Sequence, residues 1–430
     1  MKTDNRPLFF AAALLAALSL NAADWSQYRG PNIDGTTAEK ISTQWSVGGP
    51  KALWKVPTQD GFGSFVVSGG KACTIITRLQ DGAPQETLVA LDANTGRELW
   101  AANLAAVAKY DGGGDSGAEP NKGGDGGRST PAVDGERVYT LSSHLVLACF
   151  DVKSGQRVWS HDVLKEFGGK NIRWQNAASP LIDGNLVYVA GGGAGQSLLA
   201  FNKTDGKLAW KTGTETITHS TPVAATIHGV RQVIYFTQSG LVSVAAQTGA
   251  PLWKQAFKFA VSTAITPIVG GDIVYCAAGY GVGSGAYKIS KSGSDFTSTE
   301  LWRIIGNQPV ANHWSTPVYK EGHLYGMFQF KEYGNGPLKC VELATGKVKW
   351  EKAGFGPGNV ILVDGNVLAL SDAGELVLAT GTPTEYKELA RAKAVTGKCW
   401  STPVLSNGRV YVRSTKEGAC LDLSPKTAAR

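Results

Sequence analysis

The stretch ALDANTGRELW, residues 90–100, recurs along the chain and decides the fold. Each full copy places a small residue first, an acidic or amide residue two positions later, and then a Gly turn followed four residues on by Trp. Further copies are CFDVKSGQRVW (149–159), AFNKTDGKLAW (200–210), QTGAPLW (247–253) and CVELATGKVKW (340–350). Two short apolar runs joined by a Gly turn predict a β-hairpin that ends on the Trp.

A second phrase precedes each of these hairpins. It consists of Ser or Thr before Pro, an apolar residue, a Gly turn and then Val-Tyr or a close variant, as in Thr130-Pro131 to Tyr139. Pro is tolerated at the start of a strand or on a strand edge, where its missing N–H is not needed. The two phrases together predict four short strands per unit, and the Trp residues recur every 43–59 residues. Four-stranded units at such a period indicate a β-propeller.

The ends of the fourth strands give the number of blades. They fall at Trp54, Trp100, Trp159, Trp210, Trp253, Trp302, Trp350 and a degenerate end near Leu389. We therefore predict an all-β, eight-bladed β-propeller, with seven blades as the alternative if residues 360–390 form an irregular unit. The last three strands, within residues 400–423, have no Trp of their own, so we expect residues 52–56 to supply the missing strand. That pairing closes the ring and removes an open sheet edge.

Composition supports this division of the chain. Charged residues make up 18%, hydrophobic residues 43%, and Gly occurs 54 times, which suits a turn-rich protein with a real core. The net charge of +7 comes from scattered basic residues, so no nucleic-acid-binding stripe is predicted. We divide the chain into a signal peptide (1–23), an N-terminal strap (24–51), one propeller (52–424) with a Gly/Asp-rich insertion (109–128), and a tail (425–430).

Residues 1–23 carry the export prediction. Lys2 and Arg6 precede an apolar run of about 13 residues, which is typical of a signal peptide and too short for a membrane span. No Cys follows the run, so we expect no lipid anchor. The sequence predicts an exported, periplasmic or extracellular protein that does not span the membrane and is a monomer.

The six Cys residues do not predict a disulfide framework. Cys149, Cys340 and Cys420 each occupy the slot that Ala90 and Ala200 fill in sibling units. A small apolar slot suits a buried, unpaired Cys, so we interpret these three as packing residues.

The A-x-D-x-x-T-G-x-x-x-W phrase resembles the tryptophan-docking motif of the PQQ-like repeat family. That family includes quinoprotein alcohol dehydrogenases and the propeller subunit of the bacterial outer-membrane assembly machinery, and the resemblance covers most of residues 52–424. It implies that Trp packs between adjacent blades. The residues given this structural role are Trp54, Trp100, Trp159, Trp210, Trp253, Trp302 and Trp350.

A candidate binding site comes from residues just before the first strand of each blade, since propellers bind ligands at the mouth of the central channel. The residues expected there are Arg128, Arg173, Trp174, Asn176, His219, His313, Trp314 and Trp400. Aromatic and cationic groups together suit a flat, anionic or sugar-like ligand. The alternative is that these side chains plug the channel and satisfy one another.

The sequence predicts no catalytic residue and no metal site. Family members that bind the quinone stack it between a Trp and a disulfide of adjacent Cys and use Ca²⁺ with a carboxylate; the adjacent Cys pair is absent here. We therefore predict a non-catalytic binding or scaffold protein of the cell envelope, with a protein or a polymer as partner and no cofactor. The alternatives are a PQQ- and calcium-dependent alcohol dehydrogenase with an atypical site, and a small-ligand or carbohydrate binder that uses the channel mouth.

Overall fold

The computed structural model describes residues 24–110, 124–328 and 336–425. Within these ranges the chain forms 33 strands and one four-residue helix. The predicted signal peptide, residues 111–123 of the insertion and most of the tail lie outside the described residues. No helix in the described ranges is long and apolar enough to cross a membrane.

The strands form eight sheets, one for each predicted blade. Two strands precede the first complete blade: β1 (Thr36–Thr37) and β2 (Lys51–Pro57). Blade 1 contains β3 (Val66–Ser68), β4 (Lys71–Gln80), β5 (Ala83–Asp92) and β6 (Glu98–Ala106). Blade 2 contains β7 (Ala132–Asp134), β8 (Arg137–Leu141), β9 (Val146–Asp151) and β10 (Arg157–Asp162), followed by α1 (Val163–Glu166). Blade 3 contains β11 (Leu181–Asp183), β12 (Leu186–Ala190), β13 (Leu198–Asn202) and β14 (Leu208–Thr212).

The second half repeats the pattern. Blade 4 contains β15 (Val223–Ile227), β16 (Val230–Thr237), β17 (Gly240–Ala245) and β18 (Pro251–Ala256). Blade 5 contains β19 (Ile268–Gly270), β20 (Ile273–Ala278), β21 (Gly283–Ser292) and β22 (Asp295–Ile304). Blade 6 contains β23 (Val318–Lys320), β24 (His323–Met327), β25 (Leu338–Glu342) and β26 (Val348–Lys352). Blade 7 contains β27 (Asn359–Val363), β28 (Asn366–Leu370), β29 (Glu375–Thr380) and β30 (Glu388–Lys393), and blade 8 contains β31 (Val404–Ser406), β32 (Arg409–Arg413) and β33 (Glu417–Asp422).

The eight-bladed prediction is confirmed, and the seven-bladed alternative is wrong because β27–β30 form a complete four-stranded blade, to which β1 adds a fifth strand. Blade 8 takes its outer strand from the N-terminal part of the chain, as predicted. β2 pairs antiparallel with β33, and Trp54 lies opposite Cys420. The ring is therefore closed by strands from the two ends of the propeller.

The acidic residue of the repeated phrase caps its own turn. Asp92 Oδ1 accepts hydrogen bonds from the backbone N–H groups of Asn94 and Thr95 and from the Thr95 hydroxyl. The hydrogen bond from the Thr95 hydroxyl lowers the pKa of the Asp92 carboxyl most, and the bonds from the two N–H groups lower it further. Gly96 then adopts a φ of 72°, which favours Gly because a Cβ is disfavoured there. The D-x-x-T-G spacing thus follows from the geometry of one turn.

The repeated Trp lies against the Gly turn of the next blade. The Trp100 indole N–H donates to the Val152 carbonyl at 3.0 Å, and a Cβ added to Gly155 would lie 2.6 Å from the Trp100 ring. The same contact joins four other pairs: Trp54–Gly96, Trp159–Gly206, Trp210–Gly249 and Trp302–Gly346. Trp253 differs, since its indole donates to Gln232 within its own blade.

This contact gives a testable difference between two turn glycines. Gly155→Ala should lower the free energy of unfolding by about 2–4 kcal/mol, because it adds a strained backbone and a clash with Trp100. Gly135→Ala is the matched control: Gly135 also has a positive φ, of 57°, but a Cβ there meets nothing within 4 Å. Urea unfolding should show a cost of about 1 kcal/mol for the control. Equal costs would contradict the docking role of the turn.

The residue before the repeated Pro links neighbouring blades. Its hydroxyl accepts a hydrogen bond from the backbone N–H of the equivalent residue one blade earlier, as Ser179 does from Thr130 at 2.9 Å. Five further bonds of this kind follow, with the N–H donor named first: Thr402–Ser64, Ser64–Thr130, Ser179–Thr221, Thr266–Thr316 and Thr316–Asn359. In the last of these the acceptor is an amide oxygen. These bonds place a polar ring around the central channel.

Residues 24–37 cross one end of this channel. We call this end, which carries the turns between first and second strands, the strap face, and the opposite end the mouth face. The strap exchanges backbone hydrogen bonds with Val67 of blade 1, and Val133 of blade 2 donates to Ser26. Arg29 is buried and donates to the carbonyls of Thr316 and Pro317 in blade 6. The strap then ends as β1, which pairs with β27.

All six Cys residues are unpaired and buried. Cys149, for example, lies directly opposite Tyr139 across two strands, and burial raises the pKa of its thiol to about 12. A buried thiol held in the neutral form is a poor nucleophile. The geometry matches packing residues in a small slot.

Candidate functional site

A row of aromatic rings crosses the mouth face. Phe62 stacks on Trp400 with 4.6 Å between ring centroids, and Trp400 lies 4.2 Å from Trp314. The Trp314 indole donates to the Pro357 carbonyl, and that of Trp400 donates to Asp372 at 2.8 Å. Both indoles are therefore held by loops of blade 7.

The row continues through the loops of blades 5, 6 and 3. His313 lies 5.1 Å from Trp314 and 4.8 Å from Tyr280, both edge-on. Trp174 lies parallel to Tyr280 at 6.1 Å and 6.4 Å from His219. The structure thus brings together five of the eight residues predicted for the mouth, namely Trp174, His219, His313, Trp314 and Trp400.

Cationic side chains cover the row at its edges. The Arg128 guanidinium lies 3.7 Å from the centroid of Tyr110 and 5.4 Å from that of Phe62. The exposed Arg173 lies 4.8 Å from the Trp174 ring, and the buried Lys398 lies 5.0 Å from the Trp400 ring. Cations over aromatic faces gain about 0.5–2 kcal/mol each, depending on burial. These contacts tie Arg128 and Arg173 to the rings of the mouth.

The two buried histidines of the row are neutral at ordinary pH. Burial and the nearby positive Arg128 lower the pKa of His219 to about 3. Burial and the neighbouring His219 lower the pKa of His313 to about 3 as well. His313 Nδ1 accepts a hydrogen bond from the Gly279 N–H, whereas His219 Nε2 is buried without a hydrogen-bond partner. A protonated histidine here would place a charge beside Arg128 inside an apolar layer.

Asn176 does not face the mouth. Its amide nitrogen donates to the carbonyls of Ser142 and Ala178, and its amide oxygen accepts from the Ala178 N–H. Its backbone N–H donates to the Ser143 carbonyl. The side chain therefore anchors a loop of blade 2, and the expectation that it converges with the aromatic row is not met.

Several residues at the mouth were missed by the sequence reasoning. Phe62 precedes a first strand that lacks the Pro signal, while Tyr280 and Asp372 lie between the second and third strands of their blades. Asp372 supplies a carboxylate at the mouth, where none was expected. The available signal is the position of two short Gly-containing loops, residues 279–282 and 371–374, between the second and third strands of their units.

Three large residues at the mouth have a strained backbone. Trp174, Gln175 and Tyr280 have φ values of 66°, 57° and 57°, a region that large side chains rarely adopt. Such residues cost about 1–3 kcal/mol each and persist only where surrounding contacts hold them. The mouth is therefore a built arrangement of side chains, not a relaxed loop surface.

The residues present do not fit a quinone with Ca²⁺. Calcium takes six to eight oxygen ligands, usually with several carboxylates. In residues 24–110, 124–328 and 336–425, no group of three or more His, Cys, Asp or Glu side chains is placed to hold a metal ion. The Asp372 carboxylate accepts from Trp400, and the six Cys residues are unpaired. We therefore derive no catalytic step through such a cofactor.

More than half of the chain matches the model of a known protein family. Residues 84–352 match the family model described as outer membrane protein assembly factor BamB. The chain belongs to this family. The match covers blades 1 to 6 from β5 onward and includes the strongest copies of the repeated phrase.

Curated BamB relatives share moderate identity with the chain. BamB of Shewanella oneidensis is 27% identical over 239 residues, covering 52% of this chain and 56% of the relative. BamB of Moranella endobia is 27% identical over 298 residues, covering 66% of this chain and 71% of the relative. The chain therefore spans little more than half the length of the first of these relatives.

Solved structures show the shared fold. BamB from Moraxella catarrhalis has a TM-score of 0.59 at 14% identity, covering 88% of this chain and 99% of that one. Quinohemoprotein alcohol dehydrogenase from Comamonas testosteroni has a TM-score of 0.63 at 11% identity, covering 95% and 82%. An outer membrane protein assembly factor and an alcohol dehydrogenase thus share this architecture, so function has to be argued from the site.

Proposed function

We propose that this chain is an exported, non-catalytic propeller that binds or scaffolds protein partners in the bacterial cell envelope, in the assembly of outer membrane proteins. Membership of the BamB family supports this role, as do two BamB relatives. A rigid ring that carries loops on both ends suits partner binding.

The observation that carries the proposal is that the protein's own aromatic side chains fill the channel mouth. Trp314, Trp400 and Phe62 contact one another within 4.2–4.6 Å, where a quinone would need an open slot between an aromatic ring and its second wall. The other end of the channel is crossed by the strap, with Arg29 buried against blade 6. Both ends are thus occupied by the protein's own side chains.

A deletion strain of the producing organism tests the proposal. Loss of the gene should lower the amount of folded outer-membrane β-barrel proteins, measured by their heat-modifiable migration in gels. The full chain should restore that amount, while a chain lacking residues 1–23 should not, because it remains unexported. Unchanged outer-membrane protein folding in the deletion strain would overturn the assembly role.

A small-ligand role at the mouth is the second candidate. The strained backbone at Trp174 and Tyr280 and the unpartnered Nε2 of the buried His219 favour it. A flat anionic or sugar-like ligand would stack on Trp174 beside Arg173. Trp174→Ala should abolish such binding without changing the unfolding midpoint by more than a few degrees. The PQQ-dependent dehydrogenase alternative has less support, because the described residues do not fit the cofactor.

A further inference from the structure

In each inner strand, the second residue after the repeated Pro, or after the residue in its place, directs its backbone N–H and C=O toward the channel axis. A two-residue turn joins this strand to the second strand, and the two residues that flank the turn form a hydrogen-bonded pair. The residue just before this pair, and every second residue before that, points its backbone groups away from the sheet. Val133, opposite Val138, is one example, and Val67, Ile182 and Leu362 have the same register. These groups need a partner on the axis side.

The strap supplies that partner in four blades. Val67 exchanges two hydrogen bonds with Trp25, and Val133 donates to the Ser26 carbonyl. Ile182 donates to the Gln27 side chain and accepts from it, at 3.0 and 3.2 Å. Leu362 donates to the Gly35 carbonyl at 2.8 Å. Backbone groups of the strap therefore bind the inner strands of blades 1, 2 and 7, and the Gln27 side-chain amide binds that of blade 3.

The equivalent residues of blades 4, 5 and 6 are Ala224, Val269 and Tyr319. Val269 and Tyr319 lie opposite Val274 and Leu324, which is the same register as in the strapped blades. Ala224, opposite Val233, lies two residues further from the turn of a longer hairpin, so its backbone groups also point away from the sheet. Within the described part of the chain, no hydrogen bond from the strap reaches the backbone groups of these three residues. All three line one pocket of about 480 Å³ between the strap and the inner strands.

The pocket has an apolar floor and a polar rim. Val223, Ile268 and Leu362 contribute to the floor, and the exposed Asn32 and Asp34 of the strap stand on the rim. Two inner strands, β15 and β27, are five residues long, whereas the other inner strands have three. The free edge of β27 pairs with β1 of the strap. A pocket of this volume accommodates a few residues with one or two apolar side chains.

We propose that this pocket, which we call the strap-face pocket, binds a short extended peptide segment of a partner protein. The segment adds to the inner edges of blades 4 to 6 by main-chain hydrogen bonds, as the strap does elsewhere. Apolar side chains fill the floor, and a basic residue faces the Asp34 carboxylate. This inference deepens the proposed partner-binding function and rests on it for its biological meaning, but the binding itself is measurable alone.

The test uses the purified chain and a fluorescent acetylated pentapeptide of alternating valine and lysine. We expect saturable binding by fluorescence polarisation and slower hydrogen exchange at the amides of Ala224, Val269 and Tyr319. Ala224→Pro should weaken binding at least tenfold, because it removes an N–H that the sheet does not use. Thr226→Ala keeps the backbone donor on the same strand and should change binding by less than threefold.

Two controls keep the result interpretable. A peptide methylated on its backbone nitrogens keeps its side chains but loses its donors, and it should bind at least tenfold more weakly even if Ala224→Pro fails to fold. No saturable binding at millimolar peptide would overturn the proposal, as would protection confined to the mouth face. Self-association of the chain with protection of the same amides would replace the partner peptide by a second copy. A normal deletion phenotype with intact peptide binding would refute only the assembly role.

Discussion

Trp54→Ala should lower the free energy of unfolding by about 3–5 kcal/mol, the usual cost of removing a buried Trp from a core. Trp54 is 7% exposed and belongs to β2, the N-terminal strand that completes blade 8. Its ring lies 6.0 Å from Phe65 and 5.9 Å from Tyr411, and its indole donates to the Ala93 carbonyl. It therefore joins blades 8 and 1 at the seam where the chain ends meet.

Trp45→Ala is the matched control for this effect. Trp45 is half-buried just before β2, and its indole donates to the nearby Ser42 carbonyl. Urea unfolding should show a cost of roughly 1 kcal/mol for the control, in line with a partly exposed site. Hydrogen exchange should accelerate in β2 and β33 for Trp54→Ala alone. Equal costs for both variants would contradict the role of β2 in closing the ring.

The second large effect is a loss of stability in acid caused by the two buried histidines. His219 and His313 have a pKa of about 3 in the folded chain, against 6.5 for an ordinary histidine. A folded-state pKa below the unfolded one means that the unfolded chain binds more protons between pH 6.5 and 3. Stability therefore falls as the pH drops through this window, by about 2 kcal/mol for each histidine at pH 5.

The double variant His219→Gln/His313→Gln should remove this part of the acid loss. The measurement is the unfolding free energy in urea at pH 7 and pH 5 for the wild-type chain and the variant. The variant should lose about 4 kcal/mol less than the wild type between these pH values. His323→Gln, at the half-buried start of β24, serves as the control and should lose as much as the wild type. An unchanged acid loss in the double variant would show that other groups cause it.

The fold could be predicted from the sequence because each structural contact repeats. The Gly at position 96 and its equivalents must accept a Trp from the preceding blade, and the Thr at position 130 and its equivalents bond to a neighbouring blade. Because the contact is repeated from blade to blade, the same residue type recurs in the sequence at the same spacing. Residues 52–56 are assigned to blade 8 because the last unit has only three strands of its own and no Trp strand.

The candidate site was only partly predictable, for a related reason. Residues at a fixed distance before the repeated Pro, such as His219 and Trp314, share a register and meet at the mouth. Asn176 has the same offset as His313, yet its amide turns back to the backbone after the positive φ of Trp174 and Gln175. Tyr280 and Asp372 lie in loops whose length and sequence change from blade to blade, so no repeated residue marks them.

The strap shows the same limit. The sequence separates residues 24–51 from the propeller as an N-terminal strap, but which blades it contacts depends on its three-dimensional path. Four blades give their inner edges to it, and blades 4, 5 and 6 have open backbone groups around one pocket. Because the hairpins of both groups point the same backbone groups toward the axis, only that path distinguishes the two groups.

A titration of the purified mature chain with PQQ in excess Ca²⁺ tests most directly whether the propeller binds partners or performs quinone chemistry. We expect neither heat in calorimetry nor a change in visible absorbance up to millimolar quinone, because the described mouth residues contact one another and offer no calcium ligand set. Binding at micromolar or tighter affinity, about −8 kcal/mol, together with alcohol-dependent dye reduction, would contradict the account.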